Sequence, residues 1–438
     1  MSARIEVTPR VALIDVARAI VLSGFAPRAE VDVTARQRQH DGSEWESVNR
    51  FVADERGSVD LRTAAPVSGD YAGSGAQALG IVWSMRCVKE APGVDSIAPL
   101  HVDIEARGEA REVCDGPDAI ARASFVQQIV AEGVTRREIR EHGVVGTLFV
   151  PATPGPHPAV VVLNGSGGGI NEPRAALYAA HGITALALGY FKAPGLPPAI
   201  SRTPLEYFAQ ALDWLRQTVR PRNGFVAVAG QSRGGELALL LGATYPERVS
   251  AVIGYVPSAV LHGTLRAGAV GEAPDAVAWT LGGNPLPHVW DDNRRADWSA
   301  FRHPPAPGEP IRQAPAFVSA LDDADAVARS RIAVERIAAP ILLISGTDDG
   351  FWPSTRYADM IVDDLARRGF AHPVEHLRYE GAGHSILFPH VPTTLVARPH
   401  PVAGVRITAG GTAAANAHAN EASWPRVLEF VKAASGAA

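Results

Sequence analysis

Residues 225–236 read Phe-Val-Ala-Val-Ala-Gly-Gln-Ser-Arg-Gly-Gly-Glu, and this stretch decides the fold prediction. Its apolar start predicts a buried strand, and a helical pattern begins at Gly234. Gly230, Ser232 and Gly234 form the pattern G-x-S-x-G between the two elements. In that context a tight turn exposes a serine hydroxyl above the sheet, and the helix that follows points its positive end at the site. The pattern therefore predicts that Ser232 is a nucleophile.

A serine hydroxyl needs a base, usually a histidine that a carboxylate orients. In folds built around this turn, the acid and then the histidine follow the serine along the chain. A buried strand predicted at 340–345 ends in an acidic turn that contains Asp348 and Asp349. We favour Asp349 as the acid because of its spacing from the strand-end glycine. Asp348 remains the alternative acid, and its other expected role is to cap the turn through backbone amides. His384 lies in a glycine-containing loop after the last predicted strand and is the predicted base.

Acyl transfer also requires donors for a developing oxyanion. The backbone N–H of Arg233, directly after the nucleophile, is the first expected donor. The second is expected near Ser166 and Gly167, in a glycine-rich loop that follows an apolar strand at 157–163. No lysine follows these glycines as a phosphate-binding P-loop would require, so a nucleotide site is disfavoured.

The order of the predicted elements divides the chain into two domains. Residues 1–137 alternate apolar and polar side chains in short runs, for example at 4–8 and 30–34, which predicts a β-sandwich. A less regular run at 47–52 is also predicted to be a strand, and later runs at 80–85 and 101–105 are predicted to continue the pattern. Residues 138–438 alternate apolar strands with helical patterns, which predicts an α/β-hydrolase domain with a doubly wound, mostly parallel sheet. Irregular insertions are expected at about 260–335, plausible as a cap over a pocket, and at 389–420, before a helix at 422–434.

Composition excludes several classes of protein. The chain has 438 residues, and its formal net charge of −5 disfavours a general nucleic-acid binder. It has two cysteines and no CxxC pair, which disfavours a disulfide scaffold or a structural zinc site and favours a reducing compartment. We see no signal peptide or apolar run long enough to span a membrane, so a cytoplasmic location is expected. The chemistry above requires no metal or redox cofactor, and the oligomeric state stays open.

Several motifs together resemble those of acyl-CoA thioesterases and bile-acid-CoA:amino acid N-acyltransferases, and the resemblance covers nearly the whole chain. The residues that carry it are Gly69-Asp70-Tyr71-Ala72, Leu79-Gly80-Ile81-Val82-Trp83, Gly133–Arg137, Val145–Phe149, Gly167-Gly168-Gly169, Gly230–Glu236, Asp348–Trp352 and Gly383-His384. The resemblance implies a triad of Ser232, Asp349 and His384 and an acyl-CoA substrate, with CoA as part of the substrate. The family's amino acid transferases use a cysteine nucleophile, whereas this chain has a serine.

The resulting hypothesis is a serine hydrolase that cleaves an acyl-CoA thioester to the free acid and CoA. Two alternatives share its mechanism: a carboxylesterase or lactone hydrolase of the dienelactone-hydrolase type, and an acyltransferase to an amine or alcohol acceptor. A binding protein with an inactive hydrolase fold is disfavoured because all three triad residues are present in the expected order. Arg174, Arg202 and Arg233 are candidate partners for CoA phosphates, since guanidinium groups match phosphate geometry, but the favoured interpretation of each is a solvated or salt-bridged surface residue.

Overall fold

The computed structural model describes residues 2–73, 79–91, 96–110, 119–273, 275–303, 306, 309–399 and 405–436. The described chain divides into two compact units. The first contains Met1–Val130 and also Leu387–Leu395, a segment from the far end of the sequence. The second contains Ala131–Ile386 and Val396–Ala438. The segment 387–395, which directly follows the loop of His384, therefore belongs to the β-rich unit rather than to an insertion of the second unit.

The first unit is a β-sandwich of mainly antiparallel strands. Its described strands are β1 (Arg4–Thr8), β2 (Val11–Leu13), β3 (Ala19–Ser23), β4 (Glu30–Arg38), β5 (Glu44–Val52), β6 (Val59–Asp60), β7 (Ser68–Gly69), β8 (Arg86–Lys89), β9 (Leu100–Gly108) and β10 (Ala119–Gln128). One sheet has the order β1-β3-β6, and the other has the order β2-β10-β9-β4-β5-β7 with β8 beside β5. Alternate residues are buried along β1, β4 and β9, which is the pattern of strands with one face in a core.

Helix α1 (Gly80–Trp83) replaces the strand predicted at 80–85, so that prediction was wrong. All four of its residues are buried. A short apolar run that is buried on every side has no periodicity to separate helix from strand, which explains the error.

The second unit is built on a large sheet. Its described strands are β11 (Thr135–Glu141), β12 (Val144–Val150), β13 (Ala159–Leu163), β14 (Thr184–Leu188), β15 (Thr203–Pro204), β16 (Val226–Gln231), β17 (Ala251–Tyr255), β18 (Trp279–Leu281), β19 (Asn284–Pro285), β20 (Ile341–Gly346), β21 (Val374–Tyr379), β22 (Ala397–Pro399) and β23 (Arg406–Thr408). The large sheet has the order β11-β12-β14-β13-β16-β17-β20-β21 and is parallel from β14 to β21. Strands β13, β14, β16, β17 and β20 are almost wholly buried, as expected for strands with both faces covered. The predicted α/β fold class is confirmed.

Helices follow the strands in the alternating order of a doubly wound fold. They are α2 (Glu172–Ala180), α3 (Leu205–Val219), α4 (Arg233–Thr244), α5 (Ser299–Arg302), α6 (Ala314–Ala320), α7 (Ala324–Ser330), α8 (Ser354–Arg367) and α9 (Ala413–Ser435). None of the helices in the described ranges is long and apolar enough to cross a lipid bilayer.

Helix α9 begins at Ala413, nine residues before the predicted start at 422, so that boundary was wrong. The Thr412 hydroxyl caps the helix by accepting a hydrogen bond from the N–H of Ala415. The alanine-rich residues that follow are good helix formers. Residues 413–420 therefore do not belong to an irregular insertion.

Candidate active site

The predicted nucleophile lies on a strained turn between β16 and α4. Ser232 has φ 59° and ψ −121°, a conformation that residues other than glycine rarely adopt. Its N–H donates to the carbonyl of Tyr255 on the adjacent strand at 2.8 Å. A Cβ at Gly230 would lie 1.9 Å from the carbonyl oxygen of Gly234, and one at Gly234 would lie 2.6 Å from that of Leu163. Both glycines are therefore required for the close backbone packing that supports this turn.

The structure places Asp349 directly against His384. The two carboxylate oxygens lie 2.8 and 3.0 Å from Nδ1 of the imidazole, and both residues are buried. The N–H groups of Phe351 and Trp352 donate to Oδ1 of Asp349 at 2.9 and 3.3 Å, which fixes the carboxylate. The ring of Phe351 packs on the imidazole, with ring centres 4.8 Å apart. Asp349 is thus positioned to hold a proton on Nδ1 and to leave Nε2 basic.

Asp348 has different partners. One of its oxygens pairs with Arg312 at 2.8 Å, and the other accepts a hydrogen bond from the N–H of Gly411 at 2.9 Å. Its side chain is 47% exposed, whereas that of Asp349 is 2% exposed. The carboxylate of Asp348 therefore stabilises the turn and does not contact the imidazole of His384.

Ser232 and His384 follow strands of one parallel run, β16 and β21, so both lie at the carboxyl edge of the sheet. A buried side chain also joins their two loops. Nη2 of Arg174 donates to the side chain of Gln231 at 3.0 Å and to the carbonyl of Ile386 at 3.3 Å. Nε2 of His384 is buried and has no hydrogen-bond partner among the described residues. The serine and the imidazole are thus on the same edge, and Nε2 is left available to a hydroxyl or a substrate.

The glycine-rich loop after β13 lies beside the nucleophile. A Cβ at Gly165 would be 3.8 Å from the hydroxyl oxygen of Ser232. Among the described residues, no acceptor binds the N–H groups of Ser166 and Gly167. Helix α4 begins at Arg233, whose N–H has no intrahelical acceptor because it lies in the first turn. Among the described residues, the N–H groups of the three predicted oxyanion donors therefore have no acceptor, and the loop that carries Ser166 and Gly167 approaches Ser232 at Gly165.

Residues 409–411 support the acid and histidine loops, and the sequence analysis missed them. The carbonyl of Ala409 accepts hydrogen bonds from the N–H groups of Gly350 and His384 at 2.9 and 2.8 Å. Gly410 has φ 75°, and a Cβ there would lie 2.0 Å from the carbonyl oxygen of Asp348. The one local signal was a pair of glycines before a helix cap, which does not reveal which loops they pack against.

A buried polar cluster lies behind the nucleophile and joins the start of α4 to residues 262–263. We call it the Glu236 network; its members are Arg233, Glu236, His262, Trp279 and Tyr357. Glu236 accepts from Arg233 at 3.0 Å, from Nδ1 of His262 at 2.8 Å and from the indole of Trp279 at 2.9 Å. Nε2 of His262 lies 3.2 Å from the hydroxyl of Tyr357.

The charges of this cluster are compensated internally. Burial opposes ionisation of Glu236, but Arg233 and His262 outweigh it and hold the pKa of the carboxyl below its usual value. Burial lowers the pKa of His262 despite its carboxylate partner, so the ring is neutral near pH 7. Arg233, whose N–H is a predicted oxyanion donor, is therefore fixed by a fully buried cluster.

We expect Glu236→Ala to lower the free energy of unfolding by about 3–5 kcal/mol, because it leaves the Arg233 charge buried and uncompensated. Urea unfolding of the variant measures the change. Glu429→Ala is the matched control: it removes a carboxylate from an exposed pair with Arg426 and is expected to cost less than about 1 kcal/mol. Equal costs for the two variants would contradict the role of the Glu236 network.

Two of the arginines considered as phosphate partners are buried. Arg233 and Arg174 are 2% and 3% exposed. Arg233 is bound to Glu236, and the guanidinium of Arg174 stacks 4.0 Å from the ring centre of Tyr255. Neither is the surface residue that the sequence favoured, so that interpretation was wrong for both, and both guanidinium groups are too buried to offer themselves to a CoA phosphate. Sequence alone does not distinguish a buried arginine from an exposed one when its partners come from other loops.

A serine on a strand–turn–helix junction, with an aspartate–histidine pair after later strands of the same parallel sheet, defines an α/β-hydrolase. Two family models match the chain: "BAAT / Acyl-CoA thioester hydrolase C terminal" over residues 203–437 and "Acyl-CoA thioester hydrolase/BAAT N-terminal region" over residues 15–141. The chain belongs to this family of enzymes, as the resemblance predicted.

Curated relatives align along most of the chain. Mouse mitochondrial acyl-coenzyme A thioesterase 2 is 30% identical over 418 residues, which cover 94% of this chain and 84% of the relative. Human acyl-coenzyme A thioesterase 1 is 30% identical over 423 residues, which cover 94% of this chain and 91% of the relative. The solved structure of a puromycin-hydrolyzing peptidase from Mycobacterium tuberculosis is 16% identical and has a TM-score of 0.44. The alignment covers 91% of this chain and 54% of the peptidase chain.

Proposed function

We propose that this enzyme hydrolyses an acyl-CoA thioester through an acyl-enzyme intermediate on Ser232. The observation that carries the proposal is the buried Asp349–His384 pair at the sheet edge that also carries Ser232; within the described part of the chain, Nε2 of His384 has no hydrogen-bond partner. The relatives named as acyl-coenzyme A thioesterases support the substrate class. A cytoplasmic location stays a prediction, because one of these relatives is named mitochondrial.

Each step of the proposed reaction uses a named group. His384 takes the hydroxyl proton as the oxygen of Ser232 attacks the thioester carbon. The N–H of Arg233 and the N–H groups of Ser166 and Gly167 stabilise the oxyanion. The carbon–sulfur bond then breaks, and the CoA thiolate receives the proton from His384. A water molecule that gives a proton to His384 attacks the ester, and the acid leaves as Ser232 recovers its proton.

The serine nucleophile favours water over an amine as the final acceptor. Attack by serine converts the thioester into an oxygen ester, which is less reactive towards amines than the thioester that a cysteine would form. His384 compensates for this lower reactivity when the acceptor is a water molecule that it deprotonates. An amine acceptor meets an oxygen ester that is less reactive than a thioester, so it has no advantage over water. Hydrolysis is therefore the favoured outcome.

The decisive experiment incubates the purified protein with acyl-CoAs and p-nitrophenyl esters, with and without glycine or taurine. We expect free acid and CoA from the thioesters, no N-acyl product, and higher kcat/KM for thioesters than for esters. Mass spectrometry quantifies both products. Mainly N-acyl product would replace the proposal with an acyltransferase, and a preference for the esters would replace it with a carboxylesterase.

A further inference from the structure

A single arginine reaches the glycine-rich loop from the segment between β17 and β20. Arg266 lies in a short 3₁₀ turn at Leu265–Ala267. Its Nε and Nη2 donate to the hydroxyl of Ser166 at 3.1 and 2.9 Å. The guanidinium carbon is 5.2 Å from the centre of the Phe351 ring, which in turn packs on His384. A cation therefore lies against the expected oxyanion loop and against the aromatic ring that packs on the imidazole.

The charge of Arg266 is not balanced by an anionic side chain among the described residues. Within the part of the chain that the structure describes, no aspartate or glutamate forms an ion pair with Arg266. Burial lowers the pKa of Arg266, and so do two further cations, Arg233 and Arg398. The charge of Arg233 is compensated by Glu236, whereas that of Arg266 is not. Since arginine stays protonated in proteins, a partly buried guanidinium among cations favours the binding of an anion.

The donors of Arg266 are arranged for such a ligand. Ser166 occupies Nε and one position on Nη2. Among the described residues, no group accepts a hydrogen bond from Nη1. The edge formed by Nη1 and Nη2 is the edge that binds a carboxylate or a phosphate through two parallel hydrogen bonds.

The position of Arg266 decides which part of the substrate supplies the anion. A Cβ built on Gly165, next to Ser166, would lie 3.8 Å from the hydroxyl oxygen of Ser232, so this loop runs beside the nucleophile. The phosphates of CoA are separated from the thioester sulfur by the whole pantetheine arm, whereas a carboxylate on a short acyl group lies only a few bonds from the reacting carbon. We propose that Arg266 binds a carboxylate carried by the acyl group, and that the enzyme prefers short carboxyacyl thioesters. This inference rests on the proposed thioesterase function.

The test compares glutaryl-CoA with valeryl-CoA, two acyl groups of equal length that differ in a terminal carboxylate. The same pair is measured as N-acetylcysteamine thioesters, which lack the CoA phosphates. We expect the wild-type protein to prefer the glutaryl thioester in both the CoA series and the N-acetylcysteamine series. Arg266→Gln should lower the glutaryl-to-valeryl ratio of kcat/KM by about 30-fold in both, the size of a lost charge-assisted bidentate contact.

Two further variants control the measurement. Arg295→Gln removes the same charge from an exposed position in the same inserted segment and should leave the ratio unchanged. Arg266→Lys keeps the charge but not the planar fork, and should give an intermediate ratio. It also keeps the proposal testable if Arg266→Gln does not fold, which thermal unfolding would reveal.

Four outcomes would overturn the inference. The first is a wild-type enzyme that does not discriminate between the two acyl groups. The second is an Arg266→Gln variant that loses activity equally on all four thioesters, because that result would mean that Arg266 only positions Ser166. The third is a loss confined to the CoA series, which would assign Arg266 to a phosphate. In these cases Ser232-dependent thiol release would still support the proposed function. In the fourth, no thiol release from any ester, the proposed function would fail as well.

Discussion

Ser232→Ala is expected to lower kcat by about 10³-fold or more on any thioester that the wild type hydrolyses. In the proposed reaction the hydroxyl oxygen forms the acyl-enzyme, and the members of a triad act as a unit, so no neighbouring group replaces it. The turn itself should persist, because its conformation depends on the approach of Gly230 and Gly234 to neighbouring carbonyls rather than on the hydroxyl. Steady-state release of free CoA measures the effect.

Loss of activity must be separated from loss of folding. A fluorophosphonate probe should label the wild-type protein and not Ser232→Ala, while circular dichroism and thermal unfolding stay unchanged. Ser299→Ala, which removes a hydroxyl from the short helix α5, is a matched control and should keep both labelling and turnover. A folded Ser232→Ala enzyme with nearly wild-type turnover would reject Ser232 as the nucleophile.

The parts of the fold that the sequence predicted well are those with strong local signals. Strands such as β13 and β20 are continuous apolar runs, and the turn at Ser232 has two glycines in fixed positions. The order of serine, acid and histidine along the chain indicated which loops to inspect. Each of these signals lies within a segment of a few residues, so a short local pattern was sufficient to identify it.

The parts that the sequence did not reveal depend on long-range contacts. Gly410 supports the turn of Asp348 across more than sixty residues, and Arg266 reaches Ser166 across 100 residues. Arg174 is buried because Gln231 and Ile386 bind it, and neither is near it in sequence. No local pattern records such pairings, because each member is an ordinary residue in its own segment.

The choice between Asp348 and Asp349 leads to a second large effect. Asp349→Asn should lower kcat by about 10³–10⁴-fold, the magnitude expected when a triad imidazole loses its correct tautomer. The N–H groups of Phe351 and Trp352 require an acceptor at the Oδ1 position. The asparagine amide nitrogen would then face Nδ1 of His384 and donate to it. The imidazole proton would move to Nε2, which could no longer accept the proton of Ser232.

Asp348→Asn is the matched control, because it makes the same chemical change one residue earlier. Arg312 would lose its charged partner, but the amide oxygen of the new asparagine would still accept a hydrogen bond from the N–H of Gly411. An exposed ion pair contributes at most about 1 kcal/mol, so we expect the turnover of Asp348→Asn to stay within about fivefold of wild type. The comparison requires kcat for both variants at one pH, together with their unfolding midpoints. If Asp348→Asn lost more activity than Asp349→Asn while both remained folded, the carboxylate that orients His384 during turnover would be Asp348, and the loop would have to rearrange from the structure described.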